Sequence, residues 1–455
     1  MLANRLGCAD FHDTLRVNRR GFVTAGLLGA AGLGLPELLR AESKKANASR
    51  LNTVLLLWMR GGPSHIDMWD PKPDAPAEYR GEFGTIGTTV PGIRLGDMLP
   101  LSAKMMHKWS IVRSLNHHDA GHSTGDQICF TGYNSGPIPD ENIYPSIGSI
   151  VSKQIGHLNP TMPAYVMIPR MLPGAGSAYL GVAHKPFETQ ADPANPGPFK
   201  VPNFSLASGV STENVGDRKV LLKDFDKLRR DVEGSGQLDA MDRFQVKAWE
   251  MLTSAKARDA FDLDREPERV RERYGLTPAF DPKASNRCGA PNWAQRMLLA
   301  RRLVEAGVRI VTVDLRWWDT HVKGFESLRL GFLPRWDRAF TALMEDLDSR
   351  GLLASTLVLA WGEFGRTPRV NNDAGRDHYP NVFSGVLAGG PIQGGRAIGE
   401  SDSHGAFPKT NPKSPQDVLA TVYQHLGVDT AAQYPDGSGR PISVLPSGNP
   451  IEELM

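Results

Sequence analysis

The sequence predicts an α/β protein: a three-layer α/β/α sandwich with a mostly parallel central sheet. Two observations carry this. Short apolar runs alternate with amphipathic segments of helical length, and in the second half each helical segment closes on a glycine before the next apolar run begins. The runs are also apolar at consecutive positions rather than alternate ones, as strands buried on both faces are.

The elements follow in order. "TVLLLWM" (53–59) is a buried strand that stops abruptly at "RGGPSH", and "WSIVRSL" (109–115) is a second that runs into "NHHDAGHSTGDQ". "PAYVMI" (163–168) supplies a third. Residues 215–275 are rich in Lys, Arg, Asp and Glu with helical apolar spacing, which reads as a helical surface layer or insertion. The clearest cadence comes next. "NWAQRMLLARRLVEAG" is a helix closed by Gly307 before the strand "VRIVTVDL", and "FLPRWDRAFTALMEDLDSRG" is a helix closed by Gly351 before "STLVLAW". "VFSGVLAGG" and the helix "PQDVLATVYQHLG" complete the set.

The first residues form a separate unit. Arg19-Arg20 precede an apolar, small-residue run and a small-x-small site at "ANA", the pattern of an export leader read by the twin-arginine machinery. An uncleaved membrane anchor is the alternative, although the run is interrupted by glycine and short for a span. We therefore divide the chain into a leader, 1–48, and a single α/β domain, 49–455, with a helical insertion near 205–275. The expected location is periplasmic or at the cell surface. Loss of the leader removes Cys8 and leaves Cys129 and Cys288, which an oxidising compartment permits to pair. With 52 Lys+Arg against 50 Asp+Glu and no long basic run, the chain carries no nucleic-acid footprint. Its 47 Gly and 34 Pro imply much ordered loop, where sites commonly lie.

Chemistry concentrates where strands end. His65 and Asp67 follow the first strand, and His117, His118 and His122 follow the second. Asp319 and His321 follow "VRIVTVDL", and Glu363 follows "STLVLAW". Ligands of open α/β sheets bind outside the carboxyl ends of the strands, so these side chains are expected to converge. Asp67, His118, Asp319, His321, Glu363 and His378 form the candidate ligand set for one or two divalent metals: zinc, manganese, iron or calcium. Ser123 and Thr124 stand at a helix start. They are either caps or, with a metal and the helix terminus lowering the hydroxyl pKa, a nucleophile. Arg366 and Arg376 offer bidentate forks to an oxyanion, or surface ion pairs. "GGPSH" is either an anion nest or a plain turn. Trp317 and Trp318 are either packing residues or an apolar wall.

"LLLWMRGGPSHIDMWDPKP", "GHSTGDQICFTG", "LLARRLVEAGVRIVTV", "WDTH", "GEFGRTPRVN…GRDHYP" and "GRPI" closely resemble the DUF1501 proteins, over nearly the whole chain. That group resembles in turn the alkaline phosphatase/sulfatase superfamily. The resemblance implies an alkaline phosphatase-like fold, metals at the carboxyl edge of the sheet, and hydrolysis of phosphate or sulfate esters. "GHSTGDQICFTG" looks like the sulfatase nucleophile segment, with His122 where formylglycine would form, so ordinary formylglycine chemistry is not expected. Glu363-Phe364-Gly365 looks like the superfamily's Asp-His-Gly motif, with Phe364 in place of a ligating histidine. His378 resembles the late histidine ligand, and Asp319 with His321 the Asp…His pair. The expected function is an exported, metal-dependent hydrolase of a small-molecule or glycan ester. His122, Ser123, Thr124, Arg366 and Arg376 are its candidate catalytic residues, and water is the alternative nucleophile. The rival expectation is a non-catalytic exported protein that binds an anionic glycan.

Overall fold

In a computed structural model, residues 52–202 apart from 196 and 198, 254–275 and 293–455 are described. The leader, most of the 205–275 insertion and Cys288 lie outside them. Leu51–Met455 forms one compact unit.

Among the described residues eight strands make the main sheet: β1 (Thr53–Trp58), β2 (Trp109–Leu115), β3 (Tyr165–Ile168), β4 (Phe187–Glu188), β5 (Ile310–Asp314), β6 (Thr356–Trp361), β7 (Phe383–Ala388) and β8 (Ala397–Ile398). Their spatial order is β8-β2-β7-β6-β1-β5-β3-β4. Every neighbouring pair is parallel except the two that involve β7, which runs against both β2 and β6. Strands β1, β2, β5 and β6 consequently finish at the same edge of the sheet.

The uninterrupted apolar runs are explained by two cores. Leu55 and Leu57 of β1 enter one, while Val54, Leu56 and Trp58 enter the other. Helices α3 (Trp293–Glu305) and α4 (Leu333–Ser349) cover the first face. Helices α1 (His122–Thr131), α2 (Ile147–Gln154) and α5 (Pro415–Leu426) cover the second. Each fully buried Leu or Val contributes about 1.5–3 kcal/mol, so neither face tolerates polar alternation. The punctuation is also physical. Ser414 and Asp417 form a reciprocal capping box at the start of α5, and Gly427 ends it in the left-handed region at φ 72°.

Of the insertion, the described part holds two short helices, Ala255–Phe261 and Glu268–Tyr274. The second is fastened by the Tyr274 hydroxyl, which donates to Asp346 of α4 at 3.0 Å. Among the described residues no helix is long and apolar enough to cross a membrane. Cys129 is buried and free, and Cys288, with which an oxidising compartment would permit a disulfide, lies outside the described residues.

Candidate metal centre

The four strand ends deliver their loops to one place, and Asp319 is its hub. Its Oδ1 lies 2.9 Å from His321 Nε2 and 3.0 Å from His378 Nε2, and accepts from Arg366 Nη2 at 2.6 Å. Its Oδ2 is 3.6 Å from His122 Nε2. The loop that holds Asp319 passes very close to the exit of β1. Gly61 has φ 108°, and a Cβ there would sit 2.5 Å from the Trp318 nitrogen, so only glycine allows this approach.

The segment after β6 folds as a tight antiparallel ribbon, Gly365–Arg366 against His378–Tyr379, with His378 directly opposite Arg366. This register sends two side chains from one cross-strand pair to the same Asp319 oxygen. Asn371 secures the ribbon's loop: its Oδ1 accepts from Gly375 N at 3.0 Å, and its Nδ2 donates to the His321 carbonyl at 2.9 Å. The charge concentrated in "GEFGRTPRVNNDAGRDHYP" is therefore one wall of the site.

Each of the three histidines is held by its outer nitrogen. Nδ1 faces Glu363 Oε1 at 2.6 Å in His122, Asp377 Oδ1 at 2.6 Å in His321 and the Ala120 carbonyl at 2.8 Å in His378. An acceptor at Nδ1 keeps the proton there and turns Nε2 inward, the arrangement that orients metal-ligating imidazoles. His321 Nε2 and His378 Nε2 stand 3.0 Å apart. With both outer nitrogens protonated, a shared proton or a cation satisfies that contact. His122, Asp319 and His378 present ligand atoms that all lie within 4.8 Å of one another, so the three can coordinate a metal ion. Glu363 adds a second sign of fit: its Oε1 also accepts from Gly61 N at 2.8 Å, while its buried Oε2 has no hydrogen-bond partner.

The electrostatics match. Burial opposes a charge on His122, but hydrogen bonds to Asp319 and Glu363 outweigh it and raise its pKa to about 9. Burial also acts against the Asp319 carboxylate. Hydrogen bonds from His122 and His378 and the Arg366 charge more than offset that, holding the group far below the usual carboxylate range.

The remaining sequence candidates occupy other positions. Asp67 is buried and paired with Arg376, whose Nε and Nη2 reach its two oxygens at 2.8 and 3.1 Å. Arg376 spends its other donors on the carbonyls of Thr367, Pro368 and Tyr79, so this pair pins the ribbon to the loop after β1. Arg366 is likewise engaged on all three nitrogens, by the carbonyls of Gly62, Arg376 and Gly61 and by Asp319. His118 is exposed and outside the cluster. Glu363 holds His122 from behind. Helix α1 begins at His122 with Gly121 as its N-cap and no side-chain cap, so neither Ser123 nor Thr124 caps it. Thr124 Oγ1 donates to Asp119 at 2.5 Å, and Ser123 Oγ accepts from Arg60 Nη2 at 3.4 Å.

The "GGPSH" turn spends its Gly61 N–H on Glu363 and its Gly62 N–H on the Met59 carbonyl, which makes it a structural turn. The two tryptophans divide their roles. Trp318 is fully buried and stacked on Trp293, with centroids 4.9 Å apart, whereas half-buried Trp317 lies 5.5 Å from the His122 ring. Sequence reasoning missed Asp377 and Arg60. Asp377 immediately precedes His378, and a carboxylate beside a loop histidine was the available signal.

The chain belongs to the DUF1501 family, whose description is "Protein of unknown function", with residues 52–455 matched. Among curated proteins none matches. Solved structures similar to the chain include Ps i-CgsB, at 8% identity and TM-score 0.39 over 83% of this chain and 72% of that one. The lipoteichoic acid synthase LtaP from Listeria monocytogenes aligns at 8% identity and TM-score 0.35 over 84% and 74%. The PsFucS1 sulfatase from Pseudoalteromonas sp. aligns at 12% identity and TM-score 0.34 over 86% and 70%. Likeness at that level says nothing about chemistry.

Proposed function

We propose that the protein is an exported, metal-dependent hydrolase of a phosphate or sulfate ester. One observation carries the reading: three imidazole Nε2 atoms turn toward one ionised carboxylate, each fixed by an acceptor at Nδ1. The ligands would be His122, Asp319 and His378, with His321 beside them. A set rich in imidazole suits zinc, manganese or iron better than calcium, which prefers oxygen. A divalent ion held there would polarise an ester oxygen and offset its developing charge. Glu363 and Asp377 hold the protons of His122 and His321 on Nδ1, and Arg366 locks the Asp319 carboxylate in place.

Ser123 is the proposed nucleophile. It follows His122 in the first turn of α1, and its hydroxyl meets a guanidinium, while Thr124 is committed to Asp119. The twin-arginine pattern at Arg19-Arg20 supports the export part of this reading, and the resemblance to the alkaline phosphatase/sulfatase superfamily supports ester hydrolysis.

The test is elemental mass spectrometry of chelator-free protein, followed by a screen of phosphate and sulfate esters. We expect about one equivalent of a transition metal, lost in the double variant Asp319→Asn/His378→Ala, and ester turnover that falls in Ser123→Ala. Protein that stays free of metal after supplementation with each ion would refute the reading.

A further inference from the structure

We propose that Arg60 grips a terminal oxygen of the substrate's phosphate or sulfate group beside the His122–Asp319–His378 cluster. The inference rests on the hydrolase reading and adds to it a residue that no motif indicated.

The two arginines first suited to an oxyanion are spent: every nitrogen of Arg366 and Arg376 is bonded within the scaffold. Arg60 is different. It leaves the sheet at the exit of β1 and is only 7% exposed, yet its bonds are one-sided. Nε donates to Asp126 Oδ2 at 2.7 Å, and Asp126 is itself held by Trp58 Nε1 at 3.0 Å. That backing fixes the plane of the guanidinium. Nη2 has one long contact, 3.4 Å to Ser123 Oγ, and Nη1 meets no acceptor among the described residues. The fork therefore presents two nitrogens beside the proposed nucleophile.

The neighbours connect this fork to the cluster. The guanidinium carbon lies 4.5 Å from the centroid of Trp317, whose ring stands 5.5 Å from that of His122. Ser123 is the next residue after His122. A buried cation braced on one side and open on the other suits the planar, two-oxygen edge of a tetrahedral oxyanion. Arg60 on one side of the reacting group and the cluster on the other would share its charge.

The test titrates the full chain with inorganic phosphate and with sulfate by calorimetry, zinc-loaded and chelator-stripped, with zinc content measured in every sample. The variants are Arg60→Lys and the double Arg60→Gln/Asp126→Asn, which removes the buried partner charge as well. We expect zinc content to be unchanged, with affinity for the preferred anion reduced about tenfold in Arg60→Lys and about 100-fold in the double variant. Whichever anion binds identifies the ester class. A folded, zinc-loaded double variant that binds like wild type overturns the proposal, as does wild type that binds neither anion. If the double variant does not fold, unchanged affinity in Arg60→Lys overturns it. Wild type that takes up no zinc defeats the hydrolase reading instead. Arg60 is then judged on the stripped protein, where anion affinity that depends on it supports the grip and independence refutes it.

Discussion

Replacing Asp67 by Asn separates two roles that the sequence left open for that residue. Asp67 is 2% exposed and accepts both arms of the buried Arg376 guanidinium, with the Ser64 hydroxyl donating to Oδ2 at 2.5 Å. Removing one partner of such a pair strands the other charge, at a cost of about 3–5 kcal/mol. For a folded unit of roughly 400 residues the unfolding entropy is about 0.85 kcal/mol per degree, so the midpoint should drop by about 4–6 °C. The candidate ligand cluster is built from other side chains, so any zinc it holds should be retained at the same stoichiometry at temperatures below the transition. Differential scanning calorimetry and elemental analysis of the same sample check both halves. An Asp67→Asn protein that melts like wild type but has lost its metal would refute the reasoning and make Asp67 a ligand.

Glu363→Gln keeps the shape of the residue but removes the charge behind His122, and should weaken zinc binding about 10–100-fold in a competition titration with a chromophoric chelator. Gly61→Ala puts a methyl 2.5 Å from the Trp318 nitrogen in a backbone region that disfavours a side chain, and should displace Asp319. Its expected signature is lost metal uptake with a largely retained circular dichroism spectrum. His425 supplies a pH test away from the cluster. Burial lowers its pKa to about 4, against hydrogen bonds that the ring donates to the Thr53 and Ser355 backbone, which act the other way. The unfolded ring binds a proton near pH 6.5, so stability should be complete above that value. It should then fall, by on the order of 3 kcal/mol, as pH drops from about 6.5 to about 4. Urea denaturation across that range should show the loss in wild type and a much flatter profile in His425→Gln.

The layers were legible because both-face burial leaves a direct mark. "TVLLLW" and "TLVLAW" can only be interior strands, and Gly307 and Gly351 end their helices in the left-handed region, at φ 97° and 69°. The reversal of β7 was not legible, since a buried antiparallel strand and a buried parallel one read alike. Nor were β4 and β8, which at two residues each are too short to show any period. The strand-exit argument located the site but could not say which side chain would face it. Asp67 and Asp319 both lie just beyond a strand. One turns into a short helix where Ser64 and Arg376 hold it, and the other lies in a loop that Gly61 lets approach β1. The ribbon shows the same limit. Nothing in "GEFGRTPRVNNDAGRDHYP" gives the register that sets His378 opposite Arg366, because twelve-residue spacing between them is compatible with many loops. Once that register is known, the roles separate: Arg366 fixes the carboxylate, His378 approaches it, and Arg376, ten residues on from Arg366, faces Asp67 instead. Two arginines of one motif thus serve as scaffold, and the guanidinium proposed to meet a ligand is Arg60, which lies inside "LLLWMRGGPSH" at the end of a strand but had no charged neighbour in the sequence to single it out.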